Sequence, residues 1–378
     1  MDYSKELHKI IKFDHDNADS QLKSFIKDNK IQFVNNDLSL AINELYDISF
    51  PDQKDQKYKT HWKHFIKRYE GNDYGNWVYY PWLSRIVHFP EKDDLRRLRT
   101  SRNRNLITED EQRKLYQSTA LVAGLSVGSN VVEALVSQGI SGKMILADMD
   151  ILEPSNLNRI RSPYWHVGTH KVDAIRMKIA EIDPYVEVVG LREGIDESSL
   201  NQVINEHNPD ILIDEMDSLA EKIKLREIAK DKKIPVVGAA DNGYNTLLDI
   251  ERYDVDAQLF NGSIPADILD QLVNGNFNRE ELGLIIGKYF VGANNISLRM
   301  YKSLAEVGRT LPSWPQLGGT AALAGTIVAY AVMQIILGSK IKSGRFIIGP
   351  DQHIGPLGTR EETLELERYK RMLENFTS

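Results

Sequence analysis

Short apolar runs alternate with amphipathic segments from Ser118 onward, and this alternation restricts the possible folds more than any other feature of the sequence. The runs have the length of strands, and they are TALVA (119–123), KMILA (143–147), VEVVG (186–190), DILID (210–214) and IPVVG (234–238). Helical patterns lie between them, at about 129–138, 168–182, 198–206 and 218–231. Strands joined by amphipathic helices form βαβ units, whose parallel sheet is covered on both faces. We therefore predict a Rossmann-like α/β fold with a mainly parallel sheet.

The pattern is less regular after Gly238. It predicts a hairpin at 246–254, helical segments to about 310, an apolar helix at 320–337, a strand at 344–348 and a charged helix at 360–376. A chain of 378 residues is long enough for about two domains. We expect residues 1–98 to form a small α+β accessory domain, residues 99–350 the α/β domain, and residues 351–378 a C-terminal helical tail.

Residues 1–98 are polar and rich in aromatic side chains, which crowd together at Trp62, Trp77, Tyr79, Tyr80 and Trp82. These rings either form the core of the accessory domain or present a surface that binds a substrate or a partner. Trp and Tyr suit such a surface because they supply a large contact area at low entropic cost. The sequence does not decide between the two interpretations.

Composition excludes several classes of function. The chain has 47 Lys and Arg residues against 54 Asp and Glu residues, whereas a protein that coats nucleic acid needs an excess of basic side chains. It contains no cysteine, which excludes a disulfide framework, a Cys-ligated zinc or iron–sulfur site and a thiol nucleophile in this chain. We therefore expect no nucleic-acid partner and no zinc.

The segment Thr320–Leu337 carries no charge over 18 residues, which is close to the lower limit for a membrane span. Its many small residues and its Gln334 favour a helix buried in the middle of a domain, since such a helix is also apolar all round. The N-terminal segment is charged throughout and lacks the apolar core of a secretory signal. These features predict a cytoplasmic protein without a membrane partner.

The first strand of the series leads into GLSVGS (124–129), and a helix follows. As G-x-S-x-G, this loop matches the nucleophile elbow of hydrolases. As a glycine-rich turn before a helix, it suits a phosphate group, which binds the free N–H groups and partial positive charge of the helix N-terminus. Asp148 ends the second strand and favours the phosphate interpretation, because an acid near this position binds ribose hydroxyls. A hydrolase would need its acid and its histidine further downstream.

Basic side chains follow Asp150 in the segment ILEPSNLNRIRSPYWHVGTHK (151–171). Arg159, Arg161 and Lys171 supply more positive charge beside the glycine loop than the pyrophosphate of a dinucleotide requires. They suit a triphosphate and a pyrophosphate leaving group, so the pattern favours an enzyme that uses ATP over a nicotinamide-dependent dehydrogenase. A solvated basic loop is a third interpretation.

The chain from about Arg99 to Gly349 resembles the ThiF/MoeB/HesA superfamily, the adenylating module shared by ubiquitin-activating enzymes and sulfur-carrier activators. The resemblance rests on Asp-x-Asp-x(5)-Asn-Leu-Asn-Arg at 148–159 and on Lys171, which lie between a glycine-rich loop and a fourth strand that ends in Asp. It implies that Asp148 binds the ribose, that Arg159 and Lys171 hold the triphosphate, and that Asp217 binds magnesium. The other nucleotide contacts expected are Gly124, Ser126, Gly128, Asp150 and Asn156.

The segment SRNRNLI (101–107) is similar to the part of this family in which an Arg crosses a dimer interface to contact ATP on the neighbouring subunit. Arg104 is the matching position, which implies a homodimer, although Arg104 could act within one chain or between two. The chain differs from the family in its glycine loop, which is one residue shorter and has Ser126 where Gly is common. It also lacks the CxxC pairs that bind zinc and any cysteine for a thioester. The patterns LADMDILEPSNLNRI (146–160) and GNWVYYPWLSRIVHFP (75–90) are similar to those of a bacterial subgroup of the superfamily, one without zinc or thioester cysteines.

The resemblance implies ATP- and Mg²⁺-dependent adenylation of a carboxylate, with release of pyrophosphate and without an enzyme thioester. Arg104, Arg159, Lys171 and Asp217 are the predicted catalytic residues. The expected substrate is the C-terminus of a small carrier protein or a peptide, or else a small acid. Two alternatives stay open, an NAD-dependent dehydrogenase and a nucleotide-binding scaffold without catalysis.

Three acidic residues allow more than one role. Asp217 is expected to bind the metal or to cap the helix that starts after it, and the two roles can coexist. Asp241 follows the fifth strand, at the edge where open α/β sheets bind ligands, and is a weaker candidate for a contact with substrate or metal. Glu215 either supports the metal site from behind or is solvated.

Overall fold

The computed structural model describes residues 7–53, 60–69, 74–275, 277–304, 306–355 and 358–376. Its strands are β1 (Lys9–Ile11), β2 (Phe33–Asn35), β3 (Asn76–Tyr80), β4 (Arg85–Phe89), β5 (Thr119–Ala123), β6 (Lys143–Ala147), β7 (Glu187–Leu191), β8 (Ile211–Asp214), β9 (Val236–Asn242), β10 (Asn245–Glu251) and β11 (Gly344–Ile348). Its helices are α1 (Ala18–Asp28), α2 (Leu38–Ser49), α3 (Thr60–Ile66), α4 (Lys92–Thr100), α5 (Glu109–Gln117), α6 (Gly128–Gln138), α7 (Lys171–Ile182), α8 (Glu197–His207), α9 (Leu219–Lys232), α10 (Ala266–Asn274), α11 (Arg279–Ile285), α12 (Leu298–Leu304), α13 (Gly318–Leu337) and α14 (Arg360–Glu374).

The seven strands β5 to β11 form one sheet in the order β11-β10-β9-β8-β5-β6-β7. β5 runs parallel to β6 and to β8, and β9 runs parallel to β8, whereas β10 and β11 are antiparallel additions. Ala123 lies opposite both Ala147 and Asp214, so the carboxyl ends of the central strands are level. The predicted Rossmann-like, mainly parallel sheet is confirmed.

Helices pack against both faces of this sheet. On one face, Leu121, Ile145 and Leu212 form a buried cluster with side chains of α8 and α9. On the other face, Ala239 of β9 packs against Val127 and against the first turns of α13. The alternation of side chains along each strand directs apolar residues to both faces, which is why the runs read as continuously hydrophobic.

The hairpin is positioned differently from the prediction. β9 and β10 pair antiparallel, with Asn242 opposite Asn245, so the turn lies at Gly243 and Tyr244. Residues 246–254 therefore contribute one strand of the hairpin and not both. Gly243 has φ +68°, which a glycine adopts without strain. The Asn-Gly dipeptide at 242–243 is a strong turn signal, and it marks the turn that the prediction overlooked.

α13 is a core helix of this part of the chain. It packs against β9 and β10, and its buried side includes Ala321, Ala324 and Val328. A Cβ at Gly325 would lie 2.5 Å from the backbone carbon of Asn130, so the small residue permits close approach to α6. Among the described residues, α13 is the one helix long and apolar enough to cross a membrane, a property that core helices share.

The chain divides into two compact units, and the first contains residues up to Tyr116 together with 136–142 and 175–187. Its four-stranded sheet has the order β1-β3-β4-β2, in which β2 and β4 are parallel and the other pairs antiparallel. Trp77, Tyr79 and Tyr80 are buried, which favours the interpretation that the aromatic residues form a core. The second unit contains the remainder of the chain. The predicted boundaries at 98 and 350 stay predictions.

Candidate nucleotide-binding site

The parallel strands bring four loops to one edge of the large sheet. The glycine loop follows β5, Asp148 follows β6, Asp217 follows β8, and Asp241 lies near the end of β9. Ligands of open α/β sheets bind at this carboxyl edge. The geometry of each loop shows which of the predicted residues share the site.

Gly124 turns the chain sharply after β5. Its φ is +87°, and a Cβ there would lie 2.3 Å from the backbone oxygen of Glu215, so no other residue fits without rearrangement. Gly128 begins α6 and lies close to Val122, which a Cβ would approach to 3.1 Å. The two glycines therefore place the N-terminus of α6 directly against the strand end.

Asp148 connects the glycine loop to the next loop. Its Oδ2 accepts a hydrogen bond from the backbone N–H of Leu125 at 2.7 Å, and its Oδ1 accepts one from the N–H of Asp150 at 2.8 Å. An ionised carboxylate has about four acceptor positions, so capacity for ribose hydroxyls is left after these two bonds. This arrangement is compatible with the predicted ribose contact and also keeps the glycine loop in place.

Lys171 is the first residue of α7 and is buried. Its Nζ lies 2.6 Å from Oδ2 of Asp150 and 3.6 Å from Oδ1 of Asp148. The side chain of Asp150 is 64% exposed, so solvent competes for the closer of the two ion pairs. Two carboxylates therefore hold Lys171 at the carboxyl edge of the sheet, and the closer of them is exposed to solvent.

Arg159 contacts the glycine loop through Ser126. Its Nε donates to the hydroxyl of Ser126 at 2.8 Å, and its Nη1 donates to Oδ1 of Asn158 at 2.9 Å. Burial lowers the pKa of Arg159, and the carboxylates of Asp217 and Asp241 oppose this shift. Arg159 is thus hydrogen-bonded to Ser126, and the charges of Asp217 and Asp241 both act on its guanidinium. Ser126 thus positions Arg159, the residue that is predicted to bind phosphate.

Asn156 stabilises the loop that carries Arg159. Its Oδ1 accepts a hydrogen bond from the N–H of Glu153 at 3.0 Å and so caps the short turn Pro154–Asn158. Asn156 is buried and so has a structural role in fixing the path of this loop. Its contact with a nucleotide stays a prediction.

Asp217 lies in the loop between β8 and α9, and it is exposed. The N-cap of α9 is Ser218, whose hydroxyl accepts a hydrogen bond from the backbone N–H of Glu221. The prediction that Asp217 caps this helix is therefore wrong. The loop is anchored by Asp214, which accepts a hydrogen bond from the N–H of Met216 at 3.2 Å. The side chain of Asp217 is consequently left available for a ligand.

Asp214 itself belongs to a buried ionic network. Lys222 donates to it at 3.1 Å, and Arg226 bonds both Asp214 and Glu251. Burial alone would raise the pKa of Asp214, but the charges of Lys222 and Arg226 lower it below its ordinary value. The network therefore fixes the strand end from which Asp217 is presented.

Arg104 is exposed and lies in the first compact unit, after the short turn Ser101–Asn103. It pairs locally with Ile107 in a β-bridge. The clustered residues Asp148, Arg159 and Lys171 all belong to the second unit. Arg104 therefore belongs to the other unit, and its role stays a prediction.

The N-terminus of α13 also borders the site, which sequence reasoning missed. A Cβ at Gly318 would lie 2.2 Å from the backbone oxygen of Asn158, and Asn158 Nδ2 donates to the oxygen of Gln316 at 2.8 Å. The hydroxyl of Thr320 donates to the oxygen of Gly243 at 2.8 Å. The pair Gly318-Gly319 before an apolar helix was the available signal, because adjacent glycines permit close backbone approach.

These contacts define an α/β protein with a glycine loop, a carboxylate after β6 and two cations at one edge of the sheet. The chain belongs to the ThiF family, which matches residues 100–348. The family assignment agrees with the motifs at 148–159 and at Lys171 and favours ATP-using enzymes over dehydrogenases.

Several relatives match this chain. It is 35% identical over 272 residues to an uncharacterised protein of Mycobacterium tuberculosis, covering 71% of this chain and 37% of that protein. It is 33% identical to the tRNA threonylcarbamoyladenosine dehydratase of Bacillus subtilis over 37% of this chain and 55% of the relative. It is 31% identical to the molybdopterin-synthase adenylyltransferase of Escherichia coli over 35% of this chain and 52% of the relative. The chain thus spans between about a third and just over half of the length of these relatives.

Proposed function

We propose that this protein catalyses ATP- and Mg²⁺-dependent adenylation of a carboxylate and releases pyrophosphate. The observation that carries the proposal is the grouping of Asp148, Arg159, Lys171 and Asp217 around one glycine loop at the carboxyl edge of the sheet. Membership of the ThiF family and a relative named as an adenylyltransferase support it.

In this reaction a carboxylate oxygen attacks the α-phosphorus of ATP. The new bond joins that oxygen to the α-phosphorus, and the bond from the α-phosphorus to the bridging oxygen breaks as pyrophosphate leaves. A carboxylate is already an anion at neutral pH, so no general base is required. The protein must position the reactants and offset the charge that develops on the leaving group.

Arg159 and Lys171 are the residues that would offset this charge. Arg159 is held by Ser126 beside the glycine loop, and Lys171 is held by Asp150. For Lys171 to contact a phosphate it must leave Asp150, and the exposed position of Asp150 makes this exchange inexpensive. Asp148 would accept hydrogen bonds from the ribose and keep the glycine loop closed around the phosphates.

Magnesium would be held by Asp217 together with phosphate oxygens, because Mg²⁺ in nucleotide sites commonly has one or two carboxylate ligands. Asp217 is exposed and lies near the guanidinium of Arg159, where a triphosphate would be held. The ion would neutralise charge on the departing pyrophosphate.

We further propose that the acid is the C-terminus of a small carrier protein or a peptide, or a small acid. No enzyme thioester forms, since the chain has no cysteine. We expect a cytoplasmic homodimer in which Arg104 contacts ATP, and residues 1–98 to bind a substrate or a partner.

The test uses the variant Lys171→Ala with Lys232→Ala as its control, because Lys232 is exposed at the end of α9. Mass spectrometry of acids that co-purify with Lys171→Ala identifies substrate candidates, and each is assayed for ATP–pyrophosphate exchange. Loss of one such electrostatic contact lowers the rate about 10²–10³-fold. We expect this loss in Lys171→Ala and in Asp217→Ala but not in Lys232→Ala. Exchange that survives in both site variants would contradict the proposal.

A further inference from the structure

Asp241 is a buried acid that the proposed reaction does not yet use. It is 9% exposed, and within the described residues neither of its carboxylate oxygens has a hydrogen-bond partner. A buried polar group without a partner is unfavourable, and buried carboxylates are normally paired, hydrogen-bonded or bound to a metal. The orphaned oxygens therefore indicate a partner that is supplied from outside the protein.

The charged groups around Asp241 do not satisfy it. Burial raises the pKa of Asp241 to about 7, and the charge of Arg159 offsets this only in part. Glu215 is a second buried acid, and its Oε1 accepts a hydrogen bond from the N–H of Ala239, two residues before Asp241. Thr246 lies opposite Asp241 on β10, but its hydroxyl donates to the oxygen of Ala240. The surroundings of Asp241 are thus short of positive charge.

Binding of ATP would leave Asp241 with even less positive charge nearby. Among the described residues, Arg159 is the cation whose charge stabilises the Asp241 carboxylate, and it is also the predicted ligand of the triphosphate. When Arg159 contacts phosphates, a second cation is needed at Asp241. The predicted metal ligand Asp217 follows β8, which is the parallel neighbour of the strand β9 that carries Asp241.

We propose that Asp241 is the second carboxylate of the divalent-cation site, together with Asp217. Carboxylate oxygens are the ligands that Mg²⁺ prefers, and nucleotide sites commonly supply one or two of them. In the described part of the chain no three acidic or histidine side chains are grouped for a metal, so two carboxylates plus phosphates are the expected set. The inference rests on the proposed function and adds a protein ligand to the one that the family resemblance implies.

The experiment uses Mn²⁺ as a paramagnetic probe and α,β-methylene-ATP, which cannot be cleaved between its first two phosphorus atoms. Titration followed by electron paramagnetic resonance measures Mn²⁺ affinity in the nucleotide complex of the full chain. We expect Asp241→Asn to weaken Mn²⁺ about 10–100-fold, as we expect for Asp217→Asn. Metal-free binding of the nucleotide should not weaken in Asp241→Asn, because the substitution removes a negative charge that competes with the phosphates for Arg159. Asp231→Asn, an exposed change on α9, controls for loss of charge.

A second measurement identifies the ligands directly. In protein labelled with ¹³C at the aspartate carboxyl carbon, electron–nuclear double resonance detects each carboxylate bound to Mn²⁺. We expect two coupled carboxylates in the unsubstituted protein and one in each single variant. A single coupling that Asp217→Asn removes and Asp241→Asn retains would overturn the inference. Should Asp241→Asn fail to fold, the count in the unsubstituted protein decides the question.

The outcomes also separate this inference from the proposed function. If α,β-methylene-ATP does not bind the unsubstituted protein, the proposed function fails and the inference falls with it. If the nucleotide and Mn²⁺ bind and Asp217 is the single carboxylate ligand, the proposed function stands and the inference alone is overturned.

Discussion

At the scale of single residues, the site depends most directly on Gly124, because a side chain at this position would collide with the neighbouring backbone. Gly124 and Gly168 both have φ +87°, but a Cβ at Gly124 would collide with the oxygen of Glu215, whereas one at Gly168 would have nothing within 4 Å. We expect Gly168→Ala to lower the free energy of unfolding by about 1–2 kcal/mol through backbone strain. Gly124→Ala should lower it by roughly 1–3 kcal/mol more through the collision. Urea denaturation measures both, and equal losses would contradict the close approach.

Asp241 makes the stability of the metal-free protein depend on pH. Its pKa is about 7 in the folded state against an ordinary 3.8, so the folded protein binds a proton that the unfolded chain has released. The free energy of unfolding therefore falls as pH rises from about 4 to 7. We expect Asp241→Asn to remove this loss. The free energy of unfolding of the variant minus that of the unsubstituted protein should therefore be roughly 1–3 kcal/mol larger at pH 8 than at pH 5. Denaturation at the two pH values tests this, and a pH-independent difference would contradict it.

At the scale of elements, α13 shows how a helix apolar on all sides is specified by its small residues. Gly325 lies against Asn130, where a Cβ would come within 2.5 Å of the backbone, while Gly319 has open space. We expect Gly325→Ala to destabilise the protein by about 1–3 kcal/mol despite the better helix propensity of Ala. Gly319→Ala, the matched control, should be neutral or stabilise by up to about 1 kcal/mol. Thermal unfolding distinguishes these results, and a stable Gly325→Ala protein would contradict the tight contact between α13 and α6.

At the scale of the whole molecule, the role of Arg104 depends on the proposed homodimer. If Arg104 contacts ATP on the neighbouring subunit, Arg104→Ala and Lys171→Ala chains mixed in one dimer leave one site with both residues. Random mixing should then restore roughly a quarter of the unsubstituted exchange activity, because half of the dimers are mixed and each has one complete site. Each variant alone should be inactive. No recovery on mixing would indicate that Arg104 acts within one chain.

The sequence could predict the central sheet and several contacts because their signals are local. The strands near 119–123 and 143–147 follow from short apolar runs, and the turn at Gly124 follows from a glycine between a strand and a helix. The error at 246–254 was also local, since the Asn-Gly signal at 242–243 was overlooked. Patterns of this kind depend on residues within one or two turns of each other, so the printed sequence contains them.

Hydrogen-bond partners and burial were decided only by the tertiary structure. Ser126 meets Arg159, 33 positions along the chain, and Asp241 is buried with no hydrogen-bond partner for its carboxylate among the described residues. No periodicity distinguishes Asp241 from an exposed acid at a strand end, since its desolvation arises from segments far away in the sequence. Fold class and the glycine turn were therefore determined by the sequence itself, because their causes are short-range. The charge balance of the site emerges only when the distant loops are assembled at one edge of the sheet.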